Sequence, residues 1–197
     1  LGGMSSGLKP VKPSTLPWKG SQTIPVARFV DCFLNPGKTI DFNGTKVTYP
    51  EVRLVMWAGG NPFAHQPDTM KLERAWKKPE TVVVTDTVWT ATARHADIVL
   101  PAATVFEHND ITNIGTYSND GLVAMQQAIE PQWESKPDYW IFSKLAKRMG
   151  LEAAYTEGLD EMGWIKRLYG ESQKMGERIG VKLPAFEAFW KKGYFLF

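Results

Sequence analysis

Two apolar runs in this sequence end in side chains able to hold a polar ligand. Thr81-Val82-Val83-Val84 closes on Thr85-Asp86, and Arg53-Leu54-Val55-Met56-Trp57-Ala58 opens into Gly59-Gly60-Asn61-Pro62. A carboxylate at a strand end can accept hydrogen bonds from a ribose diol or from the N–H edge of guanine, and it can equally cap a following helix. The two glycines let the backbone approach a ligand, and Asn61 can both donate and accept, although Gly-Gly-Asn-Pro is also simply a good turn. Asp138, after Lys136-Pro137, could cap the helix it opens or face the ligand edge of a sheet. Glu107-His108-Asn109-Asp110 gathers metal-ligating side chain types, but the spacing fits no common zinc pattern and no second histidine cluster supports it. His65 and His95 read as surface or packing residues. There is no G-x-G-x-x-G fingerprint for a standard NAD site and no nucleophile elbow with a Ser-His-Asp order. The residues therefore point to a nucleotide-binding unit without a catalytic constellation of its own. Trp57 and Trp89 border the two candidate ligand loops.

The elements that must position these side chains follow from periodicity and punctuation. Arg53–Ala58, Thr81–Thr85 and Ile98–Leu100 read as buried strands. Asp68–Lys78 and Trp89–His95 read as the helices between them. A β-α-β-α-β order demands parallel strands with right-handed crossovers, and in open α/β sheets ligands sit outside the carboxyl ends of the strands. The fold class expected is an open parallel-sheet, Rossmann-like three-layer α/β domain, partial, with a helical C-terminal segment. Ahead of it, residues 1–25 carry four prolines and read as an extended connector. Ile24–Leu34 has helical spacing stopped by Asn35-Pro36-Gly37, and Thr39–Phe42 with Lys46–Tyr49 flank the hairpin signal Asn43-Gly44. Residues 1–50 thus form a connector, helix and hairpin, and 51–197 the α/β domain. Residues 102–133 read as long and mostly irregular. Helices are expected over Pro137–Met149, Asp160–Lys174 and Ala185–Lys191.

The bulk numbers exclude several classes. A net charge of +2 on 197 residues gives no argument for nucleic acid or an acidic membrane surface. No apolar run approaches the roughly 18 residues of a spanning helix, so no membrane insertion is expected. Cys32 is the single cysteine, which excludes an internal disulfide or a cysteine cluster. No signal peptide is visible in a chain that opens Leu1-Gly2-Gly3 and closes on the apolar Phe195-Leu196-Phe197, so a piece of a longer protein is expected.

Several long motifs resemble the molybdopterin oxidoreductases of the dimethyl sulfoxide reductase family. They are Trp57-Ala58-Gly59-Gly60-Asn61-Pro62, Glu80–Asp86, Trp89–Pro101, Phe106-Glu107-His108-Asn109-Asp110 and Tyr117-Ser118-Asn119. Within the family, Val30-Asp31-Cys32, Ile40–Gly44 and Phe189–Tyr194 are most similar to the trimethylamine-N-oxide reductase subgroup. The resemblance implies a fragment from the third domain of an enzyme about four times this length. It implies a molybdenum held between two molybdopterin guanine dinucleotides, with the metal ligand outside this chain. Asn61, Thr85 and Asp86 would contact the guanosine end of one dinucleotide. His108 stands where some relatives place a cofactor-contacting lysine, and Asp138 matches a further contacting aspartate. The implied reaction is two-electron reduction of an N- or S-oxide, in the periplasm. The partners would be the remaining domains and a c-type cytochrome donor, and the isolated fragment would be inactive. The alternative from another class is a freestanding nucleotide-binding or interaction module with no redox role.

Overall fold

The computed structural model describes residues 23–114 and 120–197. Most of the proline-rich connector and the Tyr117-Ser118-Asn119 motif lie outside the described residues. The chain forms two compact units, one within Pro17–Ala102 and the other containing Ala103–Phe197.

The first unit is built on a parallel sheet of β3 (Leu54–Ala58), β4 (Thr81–Asp86) and β5 (Ile98–Pro101), in that spatial order. Before it come a short 3-10 turn at Val26–Arg28, helix α1 (Phe29–Leu34) and an antiparallel hairpin of β1 (Thr39–Phe42) and β2 (Thr45–Thr48). The hairpin turns on Asn43-Gly44, both with positive φ, as that dipeptide predicts. Between β3 and β4 run the one-turn helix α2 (Pro62–His65) and α3 (Thr69–Trp76). Asp68 starts α3 by accepting from the Lys71 N–H at 2.8 Å.

Valines 82 to 84 make β4 the buried middle strand. Against it pack Leu72, Ala75 and Trp76 of α3, with Phe29 and Phe33 of α1. Trp57 lies between the rings of Phe29 and Trp76, at centroid distances of 5.2 and 5.6 Å. Tyr49, just after β2, is buried in the same core, so the helix and hairpin of residues 29–48 share it with the sheet. The expected open α/β class holds.

Three expectations change in this unit and the next. The flanking strands, expected to be buried, leave Leu54 and Met56 of β3 and Ile98 of β5 exposed, because each is an edge strand of the three-stranded sheet. In place of a helix over Trp89–His95, only Ala93–His95 closes as a 3-10 turn. Threonine hydroxyls there bond to the backbone and to other side chains, which competes with a helical ladder. The second unit also holds an antiparallel sheet where the sequence reads as irregular. Here β6 (Asp110–Ile114) pairs with β7 (Gly121–Met125), and β7 with β8 (Tyr194–Leu196). These strands are short, and only Ile111, Leu122 and Ala124 of the first two sit in the core, so alternation is weak.

Helices α4 (Asp138–Arg148), α5 (Glu152–Thr156), α6 (Glu161–Arg178) and α7 (Phe186–Lys192) complete the second unit. Asp160 caps α6 through the Gly163 N–H at 2.7 Å. Tyr169 of α6 stacks on Phe189 of α7 at 4.4 Å and donates its hydroxyl to the Pro184 carbonyl at 2.8 Å. Tyr139 of α4 donates to the Leu159 carbonyl at 2.6 Å and accepts the Trp164 indole N–H at 3.1 Å, which ties α4 to α6.

Burial pushes the Tyr169 phenol up to about 12. Its folded value lies above the unfolded one, near 10, so its contribution is complete below pH 10 and lost as pH rises toward 12. Ultraviolet difference titration of wild type against Tyr169→Phe is expected to show the missing phenolate signal only above about pH 11. A signal centred at pH 10 would contradict the buried, hydrogen-bonded placement.

Candidate nucleotide site

Strands β3 and β4 run parallel with Ala58 opposite Thr85, so the chain leaves both strands at the same sheet edge. After β3, Gly59 and Gly60 adopt φ of 72° and 76°, a region where a β-carbon is strained. A β-carbon on Gly59 would meet nothing within 4 Å, so that backbone is open to an approaching group. The glycine pair turns the chain so that Asn61 starts α2, its carbonyl accepting from Ala64 and His65 at 2.9 and 3.2 Å.

The Asn61 side chain does not cap that helix. Its Oδ1 accepts from the Thr92 hydroxyl at 2.6 Å and from the Thr92 backbone N–H at 3.3 Å. A backbone N–H can only donate, so the amide atom facing it is the oxygen. The Asn61 NH2 group has no acceptor among the described residues.

Asp86 occupies the neighbouring tip. Its Oδ1 accepts from the Thr87 N–H at 2.8 Å and its Oδ2 from the Thr90 hydroxyl at 2.7 Å. Its backbone carbonyl accepts from Ala102 at 3.0 Å. The carboxylate therefore braces the following turn, although it caps no helix, since the 3-10 turn at Ala93–His95 starts from Thr92. A carboxylate offers about four lone-pair positions, so two are still open to a ligand.

Thr85 is 2% exposed, and its hydroxyl oxygen has no hydrogen-bond partner. A buried polar group left unpaired costs on the order of 1–3 kcal/mol, which marks this tip as a place where a partner is missing. Asn61, Thr85 and Asp86 are thus brought to one edge of one sheet. Trp57 belongs to the core instead, while Trp89 is 67% exposed beyond β4. A cavity of about 180 Å³ lined by Phe33, Arg53 and Glu80 lies at the opposite, amino ends of β3 and β4. There the Arg53 guanidinium and the Glu80 carboxylate form a two-point pair at 2.7 and 2.9 Å, so its charges are already matched.

His108 and Asp138 belong to the second unit. His108 Nδ1 lies 3.0 Å from the Asn109 carbonyl and 3.8 Å from Glu161 Oε1 at the start of α6. Burial raises the Glu161 carboxyl above its ordinary value, with Asp110 and Asp160 adding to the rise and His108 opposing it. Asp138 is exposed at the first position of α4, where Pro137 is the cap residue and the Asp138 side chain makes no cap bond. A carboxylate there suits the helix dipole and still has its acceptors. Among the described residues no group of three or more His, Cys, Asp or Glu side chains is placed to hold a metal ion.

The bracing roles of three residues escaped the sequence reading. Thr90 and Thr92 brace Asp86 and Asn61. The signal for them was a pair of threonines shortly after a strand-ending aspartate, a spacing suited to side chain to backbone bonding. Glu107, buried, accepts the Thr104 N–H at 2.6 Å and the Gln132 N–H at 2.8 Å, pinning the loop that carries His108.

Comparison with known proteins bears on this geometry. Residues 23–148 match the family model for molybdopterin oxidoreductases. The chain is 50% identical over 194 residues to the dimethyl sulfoxide/trimethylamine N-oxide reductase of Rhodobacter capsulatus, covering 98% of this chain and 24% of that protein. It is 47% identical over 189 residues to the trimethylamine-N-oxide reductase of Salmonella typhi, covering 95% of this chain and 22% of that protein. The chain thus spans about a quarter of the length of the curated relatives it matches. Acetylene hydratase from Pelobacter acetylenicus shares the fold, with a TM-score of 0.58 over 75% of this chain and 19% of that one, at 23% identity.

The two backbone N–H groups facing Glu107, at Thr104 and then Gln132, hold its carboxyl below the usual 4.5. A depressed value means stabilisation present above the unfolded pKa and lost as pH falls through the folded one. Hydrogen-exchange protection at the Thr104 and Gln132 amides is therefore expected to drop below about pH 4.5 in wild type, and to be low and independent of pH in Glu107→Ala. Equal protection in the two proteins would contradict the pinning role.

Proposed function

The chain belongs to the molybdopterin oxidoreductase family, and we propose that it is part of a larger reductase of N- and S-oxides. In this reading its first unit grips the guanosine end of one molybdopterin guanine dinucleotide. Family membership implies a molybdenum–molybdopterin cofactor; the dinucleotide form and its grip by these residues are the proposal. The observation that carries it is the buried, unpaired hydroxyl of Thr85, at the same sheet edge as an asparagine with unused amide donors and an aspartate with unused lone pairs.

The donor set fits such a group. The Asp86 carboxylate can accept N–H bonds from guanine or O–H bonds from a ribose. The Asn61 amide can donate to a carbonyl or ring nitrogen, and the Thr85 hydroxyl can do either. The left-handed backbone at Gly59-Gly60 leaves room for a close approach. In the same reading His108 and Asp138 are further cofactor contacts, which the family resemblance supports. We assign residues 1–50 to a connector, helix and hairpin, of which the helix and hairpin pack into the core of the first unit, and 51–197 to the dinucleotide-binding part.

When bound, the cofactor supplies the two-electron oxygen-atom chemistry that lies beyond any side chain here. This chain's residues bind its polar tail and fix its orientation. The names of the relatives support trimethylamine N-oxide and dimethyl sulfoxide as the substrate class. Family resemblance supports the periplasm as the location, the remaining domains of the enzyme as partners and a c-type cytochrome as electron donor.

The test is made on the longer polypeptide. Acid hydrolysis is expected to release about two guanine nucleotides per molybdenum, and a reduced-dye assay to show oxide reduction. Asp86→Ala is expected to lower both guanine content and turnover about tenfold, the scale of one lost charge-assisted hydrogen bond. The 197-residue chain alone is expected to show no turnover. A longer polypeptide free of guanine nucleotide would overturn the reading.

A further inference from the structure

We propose that Thr90-Ala91-Thr92 is a positioning latch that sets which way the nucleotide site donates and accepts. The inference rests on the nucleotide reading above and adds the residues that orient its contacts. Thr90 and Thr92 repeat one arrangement two residues apart. The Thr90 hydroxyl oxygen accepts the Ala93 N–H at 3.1 Å, so its proton goes to Asp86 Oδ2 at 2.7 Å. The Thr92 hydroxyl oxygen accepts the Phe63 N–H at 3.4 Å, so its proton goes to Asn61 Oδ1 at 2.6 Å. In each case a backbone amide commits the hydroxyl, and the committed hydroxyl commits the ligand-facing side chain.

The consequence differs at the two positions. A carboxylate is an acceptor from either oxygen, so Thr90 fixes only where Asp86 stands. An amide has two unlike ends. Thr92 is fully buried, and its short hydroxyl bond keeps the Asn61 oxygen inward and the NH2 group available. Without that hydroxyl, only the longer 3.3 Å contact to the Thr92 N–H favours this orientation. The amide can then turn over and present an acceptor where the site had a donor. The outward pattern of one fixed donor beside a fixed acceptor suits the guanine edge, whose carbonyl lies next to two N–H groups. Adenine reverses that order. One short loop thereby holds both strand tips in a single hydrogen-bond polarity.

The experiment uses the longer polypeptide made without cofactor, with GDP and ADP as calorimetric probes. Wild type is expected to bind GDP in preference to ADP. Thr92→Val is expected to weaken GDP about tenfold and to erode the preference over ADP. Thr92→Ser, which keeps the hydroxyl, is expected to restore both. In an Asn61→Ala background, Thr92→Val is expected to cause no further loss, because the threonine acts through the asparagine. Thr90→Val, at a half-buried position, tests the same latch through Asp86 and does not depend on the Thr92 variant folding. It is expected to weaken GDP several-fold with the base preference kept. Unchanged GDP affinity in a folded Thr92→Val or in Thr90→Val would overturn the latch and leave the nucleotide reading standing. A wild type that binds no GDP and carries no guanine nucleotide when purified would overturn both.

Discussion

Parallel pairing of β3 with β4 is the constraint from which the candidate site follows. Parallel neighbours leave the sheet at the same edge, so the residues after Ala58 and those after Thr85 must share one small region. Had the two strands been antiparallel, Asn61 and Asp86 would lie at opposite ends of the sheet. The pairing depends in turn on the burial of Val82, Val84, Leu72 and Trp76, which fixes β4 against α3. Shifting β4 by one residue would turn Val82 and Val84 away from the helix side of the sheet and carry Thr85 away from its place beside Ala58. The apolar core is therefore what gives the polar tips their address.

In the proposed reading those tips bind. The described residues present donors and acceptors, not a nucleophile or a metal cage. That suits a family whose hard chemistry belongs to a cofactor and whose protein supplies orientation and electrostatics. Preorganisation matters most for such a role. A side chain already locked by a neighbour loses little freedom when a ligand arrives, so more of each hydrogen bond survives as affinity. Asn61 and Asp86 are locked in this way by the two threonines, while Thr85 keeps an unmet bond that a ligand could satisfy.

Much of this was legible in the residues, for physical reasons that can be named. An unbroken apolar run ending in a polar pair reads as a buried parallel strand, and β4 is one. Asn43-Gly44 between short alternating runs reads as a hairpin turn, and it is one. The second sheet was not legible. In β6 only Ile111 is buried, and β8 is three residues long and exists by pairing with a strand some 70 positions away, from Val123 to Tyr194. Such contacts have no local signature. The stretch from Trp89 to His95 misled for the opposite reason. Its composition permits a helix, but Thr90 and Thr92 have better partners in Asp86 and Asn61 than a helical ladder offers. The placement of Asn61, Thr85 and Asp86 at strand ends was readable one residue at a time. The bracing that relates them was not, because it joins Asn61 to Thr92 across 31 positions.

The central claim is that the tips of β3 and β4 hold the purine end of the cofactor. A crystal structure of the longer, cofactor-loaded polypeptide tests it most directly. The account predicts guanine density within hydrogen-bond reach of the Asp86 carboxylate and the Asn61 amide nitrogen, with the Thr85 hydroxyl engaged. Guanine bound elsewhere, with those three side chains facing only water or other protein, would contradict it.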